Sequence, residues 1–599
     1  MFRRLYAVCG NVGRYAVMTN KQLPIGIEDF SKLKSRNYYY VDKTLFLKDL
    51  LDNLGEVSLF SRPRRFGKTL TLNMIKRFFG VGEDPTLFAG LNIEREREFC
   101  EKYQNKYPVI SVTLKGVDSS SYEMCRRMLA SEIQKDALRH DELAGNPALN
   151  ELDLQTYKAL LAEPGKWTED VITTSLSTLC RLLTKVYGRK TILLIDEYDV
   201  PLQKAWLHGE LLYKQVVQLV RNLFSDALKT NEYLEFAVIT GCLRVSKESI
   251  FTGLNNVNVY STTDTAMDEY FGFTDREVRQ MLSDYDASIL YDTTKEWYDG
   301  YLFGKENVFC PWDMIKWCFK IRSVLNDAEP GSSADSLLLK GCYPECFWAN
   351  SSGNDIVHEL LVNASEGDRS RISDELNTLI CGGTVKKVIN QTLTYNEMTQ
   401  SIDSIWSTLF LTGYLTPASE VNGEEIELRI PNLEVKKIYT DTIRNWLKAE
   451  PGRQSDKVAA IIRAMGDGNA DELQYQLSLY LSGMIGVRDF MTRKDLRENF
   501  YHGIMAGLLS GSGEWQVRSN EEAGRGYSDI LLRNADTRTG IVLEFKYSDK
   551  KEKLEADAQK ALNQIDEMDY SRPLCEDGMR TILKYGISFW QARCCVVLN

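Results

Sequence analysis

Val57-Ser58-Leu59-Phe60, followed by Ser61-Arg62-Pro63-Arg64-Arg65-Phe66-Gly67-Lys68-Thr69 and an apolar helical pattern through Phe79, decides how this chain folds. The first four residues read as a short buried strand, and the last three open a helix. Strand, glycine-containing turn and helix N-terminus together make a cradle of backbone N–H groups suited to phosphates. In that cradle Arg65, Phe66 and Gly67 would wrap the phosphate chain. Lys68 would neutralise its β and γ oxygens, and the Thr69 hydroxyl would ligate magnesium. Position 70, read as a second threonine, is assigned no part in holding the nucleotide. The usual first glycine of G-x-x-x-x-G-K-[ST] is replaced by Arg62, so the bland alternative is a solvated basic turn.

A second stretch weighs against that alternative. Thr191-Ile192-Leu193-Leu194-Ile195 runs apolar into Asp196-Glu197, which places two acids at the end of a buried strand. Asp196 would hold the magnesium shell and Glu197 would orient and polarise the attacking water, because phosphoryl transfer depends on positioning and charge stabilisation. A third strand ends at Thr240-Gly241, where the hydroxyl could sense the γ-phosphate. Arg244 follows at the same edge. The plainer readings are a strand cap for Thr240 and a surface ion pair for Arg244.

Working outward, residues 23–259 alternate short strands (57–60, 109–112, 191–195 and 236–240) with longer helical stretches, predicting an α/β core with a largely parallel sheet. Residues 262–448 turn mainly helical, with a hairpin joining 414–416 to 426–430, and read as a helical lid with a winged-helix-like region. Glu450-Pro451-Gly452 is a turn signal. The expected organisation is an N-terminal extension at 1–20, with Met18 a candidate start, and a P-loop domain at 21–265. The lid and winged-helix-like region would follow at 266–448, then a helical connector at 449–489 and a second α/β domain at 490–599. That last domain is expected to run helix, three strands, helix, and one final strand at 588–598.

Composition narrows the classes. A chain of 599 residues predicts several domains, and no apolar run approaches the roughly 20 residues that span a bilayer. A net charge of −11 argues against a surface that grips nucleic acid everywhere and leaves room for a local basic groove. Thirteen cysteines without a secretory signal fit a reducing cytoplasm. Cys342 and Cys346 would need two further ligands to hold zinc, so packing is the better reading. Trp297, Tyr298 and Tyr301 could stack on a base, but packing is again the default.

Several motifs together carry a family resemblance. Leu23-Pro24-Ile25-Gly26-Ile27, Tyr40-Val41-Asp42-Lys43-Thr44, residues 62–69 including Arg62, and Ile195-Asp196-Glu197-Tyr198-Asp199 resemble the bacterial AAA-ATPase-like family. Thr240-Gly241, Phe271-Gly272-Phe273-Thr274, Trp297-Tyr298-Asp299-Gly300-Tyr301 and Gly413-Tyr414-Leu415 extend the resemblance over nearly the whole chain after Met18. It implies a P-loop ATPase using ATP and Mg2+, followed by a PD-(D/E)XK nuclease-like, restriction-endonuclease-like domain that acts on nucleic acid, DNA before RNA. It also implies a homo-oligomer in which a neighbour's arginine completes each site, with Arg244 a candidate for that role.

The C-terminal residues agree with that implication. Asp529 follows Gly526-Tyr527-Ser528, and alternation along Ile541-Val542-Leu543-Glu544-Phe545-Lys546 puts Glu544 and Lys546 on one face. Asp529 with Glu544-x-Lys546 resembles the PD-(D/E)XK signature, with Ser528 in place of proline. By that resemblance Asp529 and Glu544 bind metal and Lys546 positions water, while Glu498 completes the shell and Gln564 steadies the site. The competing readings are a cross-strand salt bridge and, for the whole protein, a nucleotide-dependent signalling or interaction switch whose nuclease-like domain does not cut.

Overall fold

A computed structural model describes residues 21–599 apart from 54, 243–249, 252–255, 327–332, 349–374, 377, 381, 396, 398–401, 422, 424, 440–454, 485–493, 510–514, 525 and 591–592. The expected extension at 1–20 therefore lies outside the described residues, as does Arg244. The chain divides into two compact units, one of residues 1–363 with 386–435 and one of 364–385 with 436–599.

The first unit is built on five strands: β1 (Val57–Ser61), β2 (Val109–Thr113), β3 (Thr191–Asp196), β4 (Leu234–Gly241) and β5 (Val257–Tyr260). All neighbours run parallel in the order β2-β3-β4-β1-β5. Central parallel strands are covered on both faces, which explains why β1 and β3 are buried at every position and why β3 reads as a continuous apolar run, Ile192 to Ile195, instead of alternating. The four strands expected from sequence are present. The edge strand β5 is additional; it is only four residues long and half-exposed, so its period-2 signal is faint.

After β1 the chain turns through residues 62–67 into the helix Lys68–Phe79, which buries Leu72, Met74, Ile75, Phe78 and Phe79. Helices Tyr122–Arg139, Glu169–Tyr187 and Glu210–Leu228 cover the sheet, the last two packing against each other. Burying their apolar faces supplies the main stabilisation, at roughly 25 cal/mol per Å² of apolar surface.

The following region is less purely helical than its sequence suggests. Phe273–Thr274, Glu306–Phe309 and Tyr301–Phe303 form a small antiparallel sheet beside helices Asp275–Asp284, Tyr291–Tyr298 and Pro311–Asn326. Thr274 and Glu277 close a capping box on the first helix. Val278, Met281, Leu282, Tyr298, Trp317 and Ile321 share one core, so Tyr298 is packing, and Tyr301 is buried as well. The hairpin is present: Thr416–Pro417 pairs antiparallel with Glu425–Arg429, with Thr416 opposite Arg429.

The second unit holds a five-stranded mixed sheet, in which Gln516–Ala523, Gly526–Asn534 and Thr539–Tyr547 run antiparallel. A crossover through the helix Leu554–Glu567 then makes Thr581–Trp590 parallel to Thr539–Tyr547. Gly586 permits this crossover, because a Cβ there would lie 2.2 Å from the Ala558 carbonyl oxygen. The single final strand expected at 588–598 is in fact two, Thr581–Trp590 and Arg593–Leu598, paired antiparallel. Both are apolar enough to read as one run. Helices Ser455–Gly466 and Ala470–Met484, which the sequence suggests are a connector, contribute Ile461, Met465, Leu473, Leu477 and Leu481 to the same core as Leu543, Phe545 and Ile587.

Candidate active sites

The carboxyl ends of β1, β3 and β4 bring the first site together, where open α/β sheets place their ligands. Because β4 separates β1 from β3, Thr240 at its end stands between the phosphate loop and Asp196. Asp196 is 4% exposed. Its Oδ2 accepts from the Thr69 hydroxyl at 2.7 Å and its Oδ1 from the Thr240 hydroxyl at 2.5 Å. Burial raises its pKa, and the two hydroxyl donors partly counter that. The sequence suggests a γ-phosphate role for Thr240; here its hydroxyl serves Asp196 directly.

Position 70 needs a correction: the residue there is Leu70, not a threonine. Its half-buried apolar side chain lines the cavity next to Thr69 and has no hydroxyl to offer a metal. The hydroxyl at the start of the helix is that of Thr69, which donates to Asp196.

Lys68 is buried and reaches back over its own loop, its Nζ donating to the carbonyl oxygens of Arg62 at 3.0 Å and Pro63 at 3.1 Å. It also lies 3.7 Å from Glu197 Oε1 and 3.6 Å from Cys242 Sγ. Burial opposes its charge, but Cys242, Glu197, Asp199 and Asp196 around it outweigh that and raise its pKa. Gly67 has φ 84°, a left-handed conformation that glycine adopts without Cβ strain. Glu197 takes a left-handed φ of 52° without being glycine, backbone strain of the kind that clusters at functional sites. Gly241 has a different reason for being glycine: a Cβ there would lie 2.5 Å from the Tyr198 ring and 2.8 Å from Asp199 Oδ1.

Arg62 has its own explanation. Its N–H donates to Gly241 O at 3.2 Å, and its guanidinium is fully buried against the rings of Phe271 and Phe303, 5.6 and 5.2 Å from their centroids. Burial pulls its pKa down to about 10. The side chain leaves the phosphate loop for the neighbouring small sheet, which is why an arginine fits at the usual glycine position.

A cavity of about 770 Å³ opens on Gly67, Lys68, Thr69 and Glu197 and continues past Pro24, Ile27, Tyr39, Tyr40, Met281 and Trp312. Pro24, Ile27 and Tyr40 are visible in the sequence only as family motifs. Sequence reasoning does not place Cys242, Asp199 or Trp312 at the site at all. Asp199 accepts the Cys242 N–H at 3.0 Å, and its position in Asp196-Glu197-Tyr198-Asp199 is the available signal. Trp312, far along the chain, offers none.

In the second unit, Asp529 and Glu544 lie on adjacent antiparallel strands, next to the register pair Ile530 and Leu543. Asp529 Oδ2 accepts the Phe545 N–H at 2.7 Å, and Lys546 Nζ lies 3.4 Å from Glu544 Oε1. Glu544 is 3% exposed, and its Oε2 is buried without a hydrogen-bond partner among the described residues. Burial, then the charge of Asp529, push its pKa up to about 8. His502 Nε2 sits 2.9 Å from Asp529 O and 3.0 Å from Ser519 Oγ, contacts the sequence does not announce. Gln564 donates to the Tyr570 hydroxyl at 3.4 Å. Glu498 belongs to the helix Lys494–Leu509, and its side chain lies outside what is described. No cluster of three or more His, Cys, Asp or Glu residues suited to a metal occurs among the described residues.

With both sites in view, comparison with known proteins decides the architecture. Residues 24–251 match the family model described as a predicted AAA-ATPase, and residues 496–598 match that of the PD-(D/E)XK nuclease superfamily. The chain joins an AAA-ATPase-like domain to a PD-(D/E)XK nuclease-like domain. The match to the AAA-ATPase-like domain covers β1 to β4 and stops short of β5, which begins at Val257. The chain is also similar to an uncharacterised protein in the vnfD 5' region of Azotobacter chroococcum mcd 1, at 29% identity over 303 residues. That alignment spans 50% of this chain and 52% of the relative.

Proposed function

We propose that this protein binds and hydrolyses ATP at the Lys68 loop and uses that cycle to control a metal-dependent nuclease acting on nucleic acid, DNA first. The observation that carries the reading is Asp196, fixed by Thr69 on one oxygen and Thr240 on the other and followed in the chain by Glu197, which lies 3.7 Å from Lys68. A hydroxyl and a buried carboxylate side by side suit Mg2+, which binds through one or two protein oxygens and completes its shell with water and phosphate. Bound there, the ion would neutralise charge on the triphosphate oxygens.

The protein's own groups would do the rest. Loop N–H groups from Arg65 to Thr69 hold the phosphates, and Lys68 exchanges its carbonyl partners for phosphate oxygens. Glu197, freed from Lys68, orients the attacking water and accepts its proton.

In the nuclease-like domain Asp529 and Glu544 are the metal ligands of this reading. The orphaned Glu544 Oε2 and its raised pKa fit a carboxylate that a divalent cation would deprotonate and engage. Lys546 positions the attacking water. Glu498 and Arg244 stay in the proposal as third ligand and intersubunit arginine, and with Arg244 goes assembly as a homo-oligomer. Eleven free cysteines among the described residues support a cytoplasmic setting. Among those residues no helix is long and apolar enough to cross a membrane.

The test pairs ATP turnover with cleavage of labelled DNA and RNA in Mg2+, using the full chain, Lys68→Ala and Glu544→Gln. Loss of turnover in the first variant and of cutting in the second supports the proposal. Turnover with no cutting by the unmodified chain would instead favour a nucleotide-dependent switch.

A further inference from the structure

Arg65 carries a side chain where the backbone favours none. Its φ of 72° lies in the left-handed region, which glycine enters freely and a long L side chain enters with strain. An arginine at so strained a position points to a use for its guanidinium. The other two arginines of the loop are committed elsewhere: Arg62 is buried between phenylalanine rings, and Arg64 donates to Gln203 Oε1 at 2.7 Å. The Arg65 guanidinium instead lies over the indole of Trp312, 4.0 Å from the ring centroid. Arg65 and Trp312 line the same cavity as Gly67, Lys68 and Thr69.

An aromatic face holds a guanidinium less firmly than a phosphate does, because phosphate offers full negative charge and two oxygens that match the guanidinium fork. Trp312 lies in the first turn of the helix Pro311–Asn326, donates its indole N–H to Phe347 O at 3.2 Å, and precedes the core residues Met314, Trp317 and Ile321. Moving the guanidinium off the indole would therefore change the packing at the start of a helix anchored in the middle region.

Resting on the reading of the loop as a nucleotide site, we propose that the Arg65 side chain contacts the terminal phosphate of a nucleoside triphosphate. Trp312 holds it when that phosphate is absent. The pair then reports the phosphate state to the helix Pro311–Asn326. This deepens the proposed function by naming a residue within the loop that separates triphosphate from diphosphate.

The test is calorimetric titration of the full chain with ADP and with the non-hydrolysable β,γ-imido analogue of ATP, for Arg65→Gly, Arg65→Lys and Lys68→Ala. Arg65→Gly relaxes the backbone, so the protein should fold at least as well as the unmodified chain. It should bind the ATP analogue about tenfold or more weakly and ADP within about threefold of the unmodified chain, with Arg65→Lys in between. The tryptophan fluorescence change on adding the ATP analogue should shrink in Arg65→Gly and in Trp312→Phe. Unchanged binding of both nucleotides by Arg65→Gly, or an equal loss of both, overturns the proposal. Normal binding by Lys68→Ala would overturn the nucleotide-site reading itself, a separate failure.

Discussion

The hydroxyl of Thr240 donates to Asp196 Oδ1 at 2.5 Å across the boundary between β4 and β3. Three segments far apart in sequence meet at that carboxylate, since Thr69 holds its other oxygen. Truncating a partner of a buried carboxylate costs about 1–3 kcal/mol. Thr240→Ala should therefore lower affinity for Mg2+ with nucleotide about tenfold or more, whereas Thr240→Ser should stay within about threefold. Titration of each variant with MgADP checks this, and unimpaired binding by Thr240→Ala would show that its hydroxyl does not support the metal.

Lys68 and Glu197 stand 3.7 Å apart yet have different roles in the proposed cycle. Lys68→Ala should abolish nucleotide binding, while Glu197→Gln should bind normally and lose about 100-fold or more in turnover. Phosphate release and equilibrium binding, measured on the same preparations, separate the two effects. Normal hydrolysis by both would refute the assignment.

In the nuclease-like domain, Glu544→Gln leaves a near-isosteric amide at a 3% exposed position. Cleavage of DNA should fall at least about 100-fold, while ATP turnover without DNA should stay within about twofold. Parallel turnover and gel assays decide it; cutting undiminished by the change would leave only a salt bridge to Lys546.

His140 offers a test of stability that does not involve either site. Its Nδ1 lies 3.0 Å from Glu142 Oε1 and its Nε2 3.6 Å from Asp136 Oδ2. Burial lowers its pKa, but these two carboxylates outweigh burial and raise it to about 9. A folded pKa above the unfolded value of about 6.5 means the stabilisation is fully present below about pH 6.5 and lost as pH rises through about 9. The contribution should reach at most about 3 kcal/mol. Urea unfolding from pH 6 to pH 10 should show this fall in the unmodified chain and a smaller one in His140→Gln.

The sequence alone determined the elements whose signals are local. A continuous apolar run marks β3 because a central parallel strand is buried on both faces, and Gly67-Lys68-Thr69 after a strand marks the phosphate loop. The two-residue alternation that puts Glu544 and Lys546 on one face is equally local. Tertiary structure alone decided what depends on strand order and close approach. Only the placement of β4 between β1 and β3 gives Thr240 to Asp196, and only the folded loop brings Arg65 to Trp312 and buries Arg62 under Phe271 and Phe303. Those contacts join residues tens to hundreds of positions apart. Periodicity and spacing report a residue's local element and face, and they carry no information about which distant face will pack against it.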